Sequence, residues 1–281
     1  MKERTLTSAA IIVLGLLLVI FSAHIVYPIV LSLIAVIAVF EILRVVGAHK
    51  KLSLSIPAYI LSATFPILAF FVSVKNVTVF LLILAASMFV YLMWLMGVSV
   101  FSKGKVAFSS IAEVFVTVLY VTVSFTSLSL IRYLDRESGA FCVVLVFMVA
   151  WICDVFAFAV GSLMGKHKLI PEISPKKTVE GSIGGIVFSV LCCLVYGIAL
   201  DLIVVDMTVN YIALGLIGGV LSIVSQLGDL VASLIKREYG VKDYGKIFPG
   251  HGGIMDRFDS VLAVSTILLI ICLVVPPFVF S

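Results

Sequence analysis

Long apolar runs separated by short polar segments dominate this sequence. Each run is about 20 residues long, the length that an α-helix needs to cross ~30 Å of hydrocarbon. The nine runs lie at 6–23, 26–46, 54–74, 77–98, 106–131, 139–164, 182–200, 211–235 and 256–280. The pattern predicts an all-α, polytopic integral membrane protein with about nine transmembrane helices. No convincing cleavage site separates the first run from the second, so we expect a retained first helix and not a signal peptide.

The composition agrees with this membrane class. Hydrophobic residues make up 63% of the chain and charged residues 12%, whereas soluble domains average roughly 45–50% and 25%. A water-soluble core is therefore excluded. All five cysteines lie inside apolar runs without metal-ligand spacing, so we interpret them as small core residues and not as disulfides or zinc ligands.

The basic residues are distributed unequally between the two sides of the predicted bundle. Of the 19 lysines and arginines, only Lys75, Arg132 and Arg136 fall on the side opposite the N-terminus. Because cytoplasmic loops of membrane proteins are enriched in Lys and Arg, we expect a cytoplasmic N-terminus and an external C-terminus. The same distribution explains the net charge of +4 without a nucleic-acid partner.

One segment near the C-terminus, residues 233–260, is dense in charge and glycine for this chain. The predicted helix that enters it carries polar residues three or four positions apart, so they form one stripe on an apolar helix. These residues are Ser222, Gln226, Asp229, Ser233 and Lys236. The stripe implies that Asp229 faces a polar environment.

Three aspartates indicate a metal site. Asp256 and Asp259 are three residues apart at the start of the last run, so they share a helix face. An ionised Asp in the middle of a spanning helix costs roughly 2.5–3.5 kcal/mol, so these two and Asp229 require a cation or basic partners. Carboxylate oxygens suit Mg²⁺ that carries phosphate. The structural alternative is that Arg257 simply neutralises Asp256 or Asp259.

The turn between these two predicted helices is glycine-rich. Gly252 and Gly253, next to His251, leave backbone N–H groups able to approach an anion. The helix predicted to begin near Met255 presents its positive end to the same place. A glycine-rich turn between two spans is also a common structural feature, but together with the aspartates it predicts a metal and phosphate site at the membrane surface.

A second informative stretch covers residues 151–185. Asp154, Ala157, Gly161 and Gly165 share one helix face. The small residues form a groove beside the Asp154 carboxylate, in which another helix or an acyl chain could lie.

The loop that follows contains Ser174-Pro-Lys-Lys-Thr178-x-Glu180-Gly181. Two lysines and several hydroxyls just before a helix favour phosphate binding. A basic loop at a membrane surface is the alternative interpretation.

Glycine patterns begin two consecutive spans, at 181–185 and 215–219. Since no strand precedes either one, we interpret Gly181-x-x-Gly184-Gly185 and Gly215-x-x-Gly218-Gly219 as helix-packing surfaces and not as nucleotide fingerprints.

Two glutamates in the first half of the chain receive a structural interpretation. Glu41 lies near the cytoplasmic end of the second run, and Glu113 near the start of the fifth. We interpret them as interface side chains, or as partners of Arg44 and Lys105, in preference to a catalytic role.

The segment from Ser233 to Asp259 resembles the signature of the phosphatidate cytidylyltransferases, also called CDP-diacylglycerol synthases. The matching positions are Ser233, Lys236, Arg237, Lys242, Asp243, Gly245, Phe248, Pro249, His251, Gly252, Gly253, Ile254, Asp256, Arg257, Phe258 and Asp259. The Ser-Pro-Lys loop at 174–181 is similar to one that this family carries before its signature. The resemblance covers the chain from about Trp151 onward.

The resemblance implies transfer of a cytidylyl group from CTP to phosphatidic acid, giving CDP-diacylglycerol and pyrophosphate at the cytoplasmic face of the cell inner membrane. Asp229, Asp256 and Asp259 would hold one or two Mg²⁺ ions, with a second, monovalent cation left open. The expected catalytic residues are these three with Lys236 and Arg257. The expected substrate-binding residues are Ser174, Lys176, Lys177, Thr178, Ser233, Arg237, Lys242, His251, Gly252 and Gly253.

Two alternatives from other classes stay open on the residues alone. A phosphosugar transferase acting on a polyprenyl phosphate would share acidic metal ligands and basic loops. A cation transporter would need paired broken helices in matching halves, whereas here the ionisable residues crowd into one half. CTP, phosphatidic acid and membrane lipids are the expected partners, with a homodimer left open.

For the domain organisation we expect a transmembrane scaffold at 1–105 and a catalytic region at 106–281. The catalytic region would carry cytoplasmic loops at 165–181 and 236–255.

Overall fold

The structure is a computed structural model that describes residues 21–135, 137–248, 250 and 252–280. Within these residues, eight helices are long and apolar enough to cross a membrane. Their α-helical parts are α1 (Val26–Val45), α2 (Leu52–Leu68), α3 (Val77–Phe101), α4 (Phe108–Leu134), α5 (Gly139–Met164), α6 (Val179–Ile203), α7 (Tyr211–Glu238) and α8 (Met255–Val274). One-turn 3-10 helices, Ala69–Phe71 and Val74–Asn76, extend the second and third spans. The all-α membrane class is thereby confirmed. Positions 6–20 of the first predicted run lie outside the described residues, so the retained first helix stays a prediction.

The last apolar run ends differently from the prediction. It was expected to continue to position 280, but α8 ends at Val274. Pro276 and Pro277 follow, and proline has no N–H with which to continue a helix. The chain then forms β4 (Phe278–Phe280), which pairs antiparallel with β3 (Met207–Val209).

The predicted loop at 165–181 contains a hairpin. Its strands are β1 (Lys168–Ile170) and β2 (Ser174–Thr178), and they pair antiparallel with Lys168 opposite Thr178 and Ile170 opposite Ser174. Helix α6 follows β2 directly. The lysines of the Ser-Pro-Lys motif therefore lie on a strand and not on an irregular loop.

The chain divides into two compact units. Unit 1 comprises the described parts of Met1–Asp135 and Tyr239–Arg257, and unit 2 those of Arg136–Glu238 and Phe258–Ser281. The predicted boundary at 105/106 is not where these units divide. The scaffold and catalytic roles assigned to the two halves stay predictions.

Helix α4 belongs to unit 1 because its polar side chains bind the N-terminal helices. The Ser129 hydroxyl donates to the Pro66 carbonyl oxygen at 2.7 Å, and the Tyr133 hydroxyl donates to the His24 carbonyl oxygen at 3.0 Å. In an apolar bundle, such bonds fix one helix on another because each polar group needs an internal partner.

The core of unit 2 depends on the glycine patterns of α6 and α7. A Cβ atom on Gly184 would lie 2.7 Å from Cβ of Val160 in α5, and one on Gly218 would lie 2.8 Å from Cα of Val190 in α6. A side chain at Gly184 would therefore collide with the Val160 side chain, and one at Gly218 with the backbone of α6. This confirms the interpretation of both patterns as packing surfaces.

The adjacent glycines of α7 offer a matched test of this packing. Gly218→Ala is expected to lower the free energy of unfolding by about 1–3 kcal/mol, since the new methyl group meets backbone that cannot move aside. Gly219→Ala is the control, because its Cβ would lie 3.7 Å from Cγ2 of Val190, an ordinary contact. Thermal denaturation in detergent measures both. An equal midpoint for the two variants would contradict the packing described.

Candidate active site

A cavity of about 300 Å³ in unit 2 brings together the two stretches that the sequence singled out. Lys176, Lys177 and Thr178 line it from the β2 side, Asp154 from α5 and Asp229 from α7. The basic hairpin and the polar stripe, about 50 residues apart in sequence, thus share one pocket.

An ion pair connects these two elements. Nζ of Lys177 contacts Oδ2 of Asp229, and the two side chains are 24% and 26% exposed. Because both groups are largely withdrawn from solvent, this pair is less screened than a surface salt bridge. Asp229 therefore has a cation beside it, as its position in an apolar helix requires.

Thr178 fixes the end of the hairpin against α5 and α6. It is buried and caps α6, with its Oγ1 accepting the N–H of Gly181 at 3.1 Å. A Cβ on Gly161 would lie 2.8 Å from this Oγ1, and one on Gly165 would lie 2.7 Å from Cγ2 of Thr178. The small face of α5 thus accommodates Thr178 and the start of α6. Of the two predicted occupants of that groove, the structure places the helix there.

Glu180 holds the start of the hairpin, a contact that the sequence analysis did not predict. Glu180, in the first turn of α6, accepts the N–H groups of Lys166 at 3.1 Å and His167 at 3.2 Å. Its Oε1 lies 2.6 Å from Nδ1 of His167. The available signal was the Thr178-x-Glu180 spacing, because a glutamate in the first turn of a helix commonly binds backbone N–H groups.

A buried amide completes the floor of the cavity. Gln226, from the predicted stripe, is buried beside Ser182. The Ser182 hydroxyl donates to Oε1 of Gln226 at 2.5 Å, and Nε2 of Gln226 donates to the Ser182 carbonyl oxygen at 3.3 Å. These bonds join α6 to α7 one turn before Asp229.

Asp259 adds a carboxylate from α8 in unit 2. It is half-buried on α8, where the charges of Asp229, Lys236 and Asp154 act on it. The backbones of α7 and α8 approach closely because a Cβ on Gly228 would lie only 2.9 Å from the Asp259 carbonyl oxygen. Within the part of the chain that the structure describes, no group of three His, Cys, Asp or Glu side chains forms a metal-binding cluster.

In unit 1, Asp256 binds backbone N–H groups of the connection between α7 and α8, called the signature loop below. It is 7% exposed, and its Oδ2 accepts the N–H groups of Tyr244 at 2.7 Å and Gly253 at 2.9 Å. Gly252 has φ +84°, and a Cβ there would lie 2.6 Å from the same Oδ2. The expectation that the Gly253 N–H is available to a substrate anion is therefore wrong in this structure. Metal binding by Asp256 stays a prediction.

Glu41 is the residue that the sequence interpretation misjudged most. It is 2% exposed, and its Oε1 and Oε2 accept the N–H groups of Ile254 at 3.1 Å and Met255 at 2.9 Å. A Cβ on Gly245 or Gly253 would collide with its carboxylate. Glu41 is thus not an interface side chain, but the internal anion at the positive end of α8.

Arg44 and Glu113 also bind the C-terminal part of unit 1. The Arg44 guanidinium donates to the Tyr244 carbonyl oxygen at 2.5 Å, one helical turn from Glu41. Glu113 is exposed, and its Oε2 accepts the Tyr239 hydroxyl at 2.7 Å, so its partner is not the predicted Lys105. The signal for Glu41 was its position, since a carboxylate within a spanning helix needs compensating donors.

The remaining predicted site residues differ in exposure. In unit 2, Ser174, Ser233 and Lys236 are half-buried, whereas Arg237 is exposed. In unit 1, Lys242 and Arg257 are exposed. His251 lies outside the described residues.

The role of Glu41 can be tested by removing one acceptor at constant size. In Glu41→Gln an NH₂ group faces a backbone N–H, so amide hydrogen exchange at Ile254 and Met255 is expected to accelerate by on the order of tenfold. Glu113→Gln is the control, since its side chain contacts neither amide. Unchanged exchange in Glu41→Gln would contradict the anchoring role.

Comparison with known proteins agrees with this picture. The model of the cytidylyltransferase family matches residues 2–275. The phosphatidate cytidylyltransferase of Staphylococcus haemolyticus is 44% identical over 177 residues, covering 63% of this chain and 65% of the relative. Those of Staphylococcus saprophyticus and Staphylococcus aureus N315 are 43% identical over 177 and 174 residues, covering 65% and 63% of the relatives. Each alignment thus spans less than two thirds of the relative. Because the family model matches nearly the whole length of this chain, the chain belongs to the cytidylyltransferase family.

Proposed function

We propose that this protein transfers a cytidylyl group from CTP to phosphatidic acid, giving CDP-diacylglycerol and pyrophosphate. Family membership and the names of the relatives support this assignment. The observation that carries it is the contact between Lys177 and Asp229, which places the basic hairpin and the acidic stripe in one cavity. A polyphosphate substrate with a divalent ion requires this combination of charges.

The proposed reaction needs positioning and charge neutralisation more than covalent help from the protein. The lipid phosphate would attack the α-phosphorus of CTP in line with the departing pyrophosphate. Lys176, which is exposed at the cavity, and Lys177 are suited to bind phosphate oxygens. The hairpin that carries them is held at both ends, by Thr178 and by Glu180, so the two ammonium groups are placed without much loss of conformational freedom.

Mg²⁺ is proposed as the cofactor, and the residues of unit 2 fit it. Mg²⁺ in proteins usually takes one or two carboxylates and completes its shell with water and substrate phosphates. Asp229 and Asp259 supply such a pair on neighbouring helices. When bound, the ion would neutralise the nucleotide phosphates and the departing pyrophosphate.

The side chains around these acids have distinct proposed roles. Lys177 now balances Asp229, and with the ion present its ammonium group would be released to a phosphate oxygen of CTP. Lys236 would keep balancing Asp259. We assign Asp256 to closure of the signature loop, on the strength of its two backbone hydrogen bonds.

The location of the protein is proposed from its basic residues. The asymmetry of Lys and Arg supports a multi-pass protein of the cell inner membrane with a cytoplasmic N-terminus and an active site facing the cytoplasm. CTP is a water-soluble cytoplasmic metabolite and phosphatidic acid a membrane lipid, so this placement gives both substrates access.

The proposed activity is tested by its choice of nucleotide. Purified protein in phospholipid nanodiscs is expected to release pyrophosphate from CTP only when both phosphatidic acid and Mg²⁺ are present, and to leave UDP-sugars intact. Release of a nucleoside monophosphate from a UDP-sugar on addition of polyprenyl phosphate would instead identify a phosphosugar transferase and sink the proposal.

The metal site is tested by charge removal at constant shape. Asp229→Asn is expected to weaken Mn²⁺ binding, measured by electron paramagnetic resonance, and to lower kcat/KM by roughly a hundredfold or more. Part of this loss should return at high Mg²⁺ concentration. Asp201→Asn is the control, because Asp201 is exposed in the same unit and accepts the Tyr211 hydroxyl at 3.0 Å. Unchanged Mn²⁺ affinity in Asp229→Asn would refute the ligand assignment.

A further inference from the structure

Unit 1 contains a second, larger cavity with a different chemical character. It is a groove of about 550 Å³ between α2 and α3. Its walls are almost entirely apolar and include Pro57 and Ile60 of α2 and Ile83, Ala86 and Trp94 of α3. No Asp, Glu, Lys or Arg lines it, so it offers a surface for hydrocarbon and none for the nucleotide chemistry proposed above.

Pro57 leaves one backbone acceptor without a helical partner at the end of the groove. Proline has no N–H, so the carbonyl oxygen of Ser53, four residues earlier, loses its partner within α2. Nε1 of Trp94 donates to this oxygen at 2.7 Å. The Tyr91 hydroxyl likewise donates to the Leu54 carbonyl oxygen at 3.0 Å. The polar groups at this end of the groove are thus paired with each other, which leaves a lining that hydrocarbon can contact without stranding a donor.

The length of the groove matches the hydrocarbon thickness of one membrane leaflet. Ile83 and Trp94 are eleven residues apart on α3, which corresponds to about 16 Å along the helix axis. This length is close to half of a hydrocarbon core of ~30 Å. The groove is therefore long enough for an acyl chain that enters from one membrane surface.

Positive charge is concentrated at one end of the groove. The hydrogen bond from Trp94 places that end at Ser53, only two residues from Lys51. Lys50 and Lys51 are both exposed there, directly before the positive end of α2. A slot for one hydrocarbon chain with two cations at its mouth is complementary to an anionic phospholipid.

We propose that this groove binds an anionic phospholipid, with one acyl chain between α2 and α3 and the lipid phosphate beside Lys50 and Lys51. The site lies within unit 1 and does not depend on the activity proposed for the cavity of unit 2. Trp94, which is 53% exposed, forms part of its wall and reports on its occupant.

The two tryptophans of this chain provide the test. Trp151→Phe leaves only Trp94, and Trp94→Phe leaves only Trp151, which is exposed in unit 2. Each variant is reconstituted in phosphatidylcholine bilayers with a small, equal fraction of either phosphatidylglycerol or phosphatidylcholine whose acyl chains are brominated. Brominated phosphatidylglycerol is expected to quench Trp94 several-fold more than brominated phosphatidylcholine, whereas Trp151 should be quenched equally by both.

Two further changes in the Trp94-only protein separate headgroup from chain. Lys50→Gln with Lys51→Gln is expected to reduce the preference for phosphatidylglycerol by roughly tenfold. Ala86→Phe, which fills the groove, should abolish quenching of Trp94 above the level of Trp151. Ala85→Phe is the matched control, since Ala85 is exposed one residue away and does not line the groove.

Each remaining outcome would overturn the proposal. Equal quenching of Trp94 by both lipids would mean that ordinary surrounding lipid fills the groove. Protection of Trp94 from both would mean that a second copy of this chain covers it. Equal effects of Ala85→Phe and Ala86→Phe would place the lipid elsewhere.

Discussion

Pairing of buried backbone N–H groups by two carboxylates is the interaction on which unit 1 depends. Glu41 and Asp256 each accept two such groups, from Ile254 and Met255 and from Tyr244 and Gly253. In an apolar environment an unpaired N–H costs several kcal/mol, so a signature loop without these acceptors would have to open to water. Glycines at 245, 252 and 253 are required because the carboxylates fill the space that side chains would occupy. The signature is therefore first a folding device, tied to a helix near the other end of the sequence.

Unit 2 solves a different problem, which is to hold cations and carboxylates together among apolar helices. Glycines of α5 and α6 let Thr178 approach closely, and this places the hairpin so that Lys177 reaches Asp229. The pair is balanced in charge, and its members come from elements that the helix packing fixes independently. A site of this kind can exchange one cation for another with little rearrangement, which is what the proposed reaction of a nucleoside triphosphate with Mg²⁺ requires.

Features set by neighbouring residues could be predicted from the sequence, whereas contacts between distant parts of the chain could not. Helix positions followed from apolar runs. Lys177 and Asp229 were each singled out by charge, but only the fold shows that they share a pocket. The position of Glu41 in a spanning helix indicated that it needs donors, but not which ones, since its partners are backbone amides more than 200 residues away. The Asp256 contacts are local, 3 and 12 residues away, and were missed because its charge was attributed to a metal site. The early end of α8 could have been predicted from Pro276 and Pro277, which interrupt the last apolar run. The prediction followed the apolar character of the run instead.

The central claim is that the α-phosphorus of CTP becomes bonded to the phosphate of the lipid. It is tested most directly by following radioactive phosphorus from CTP labelled at either the α or the γ position into the solvent-extractable lipid. The account predicts that the α label enters the lipid in the presence of phosphatidic acid and Mg²⁺ while the γ label stays in the aqueous pyrophosphate. Appearance of the γ label in the lipid, or of neither label, would contradict it.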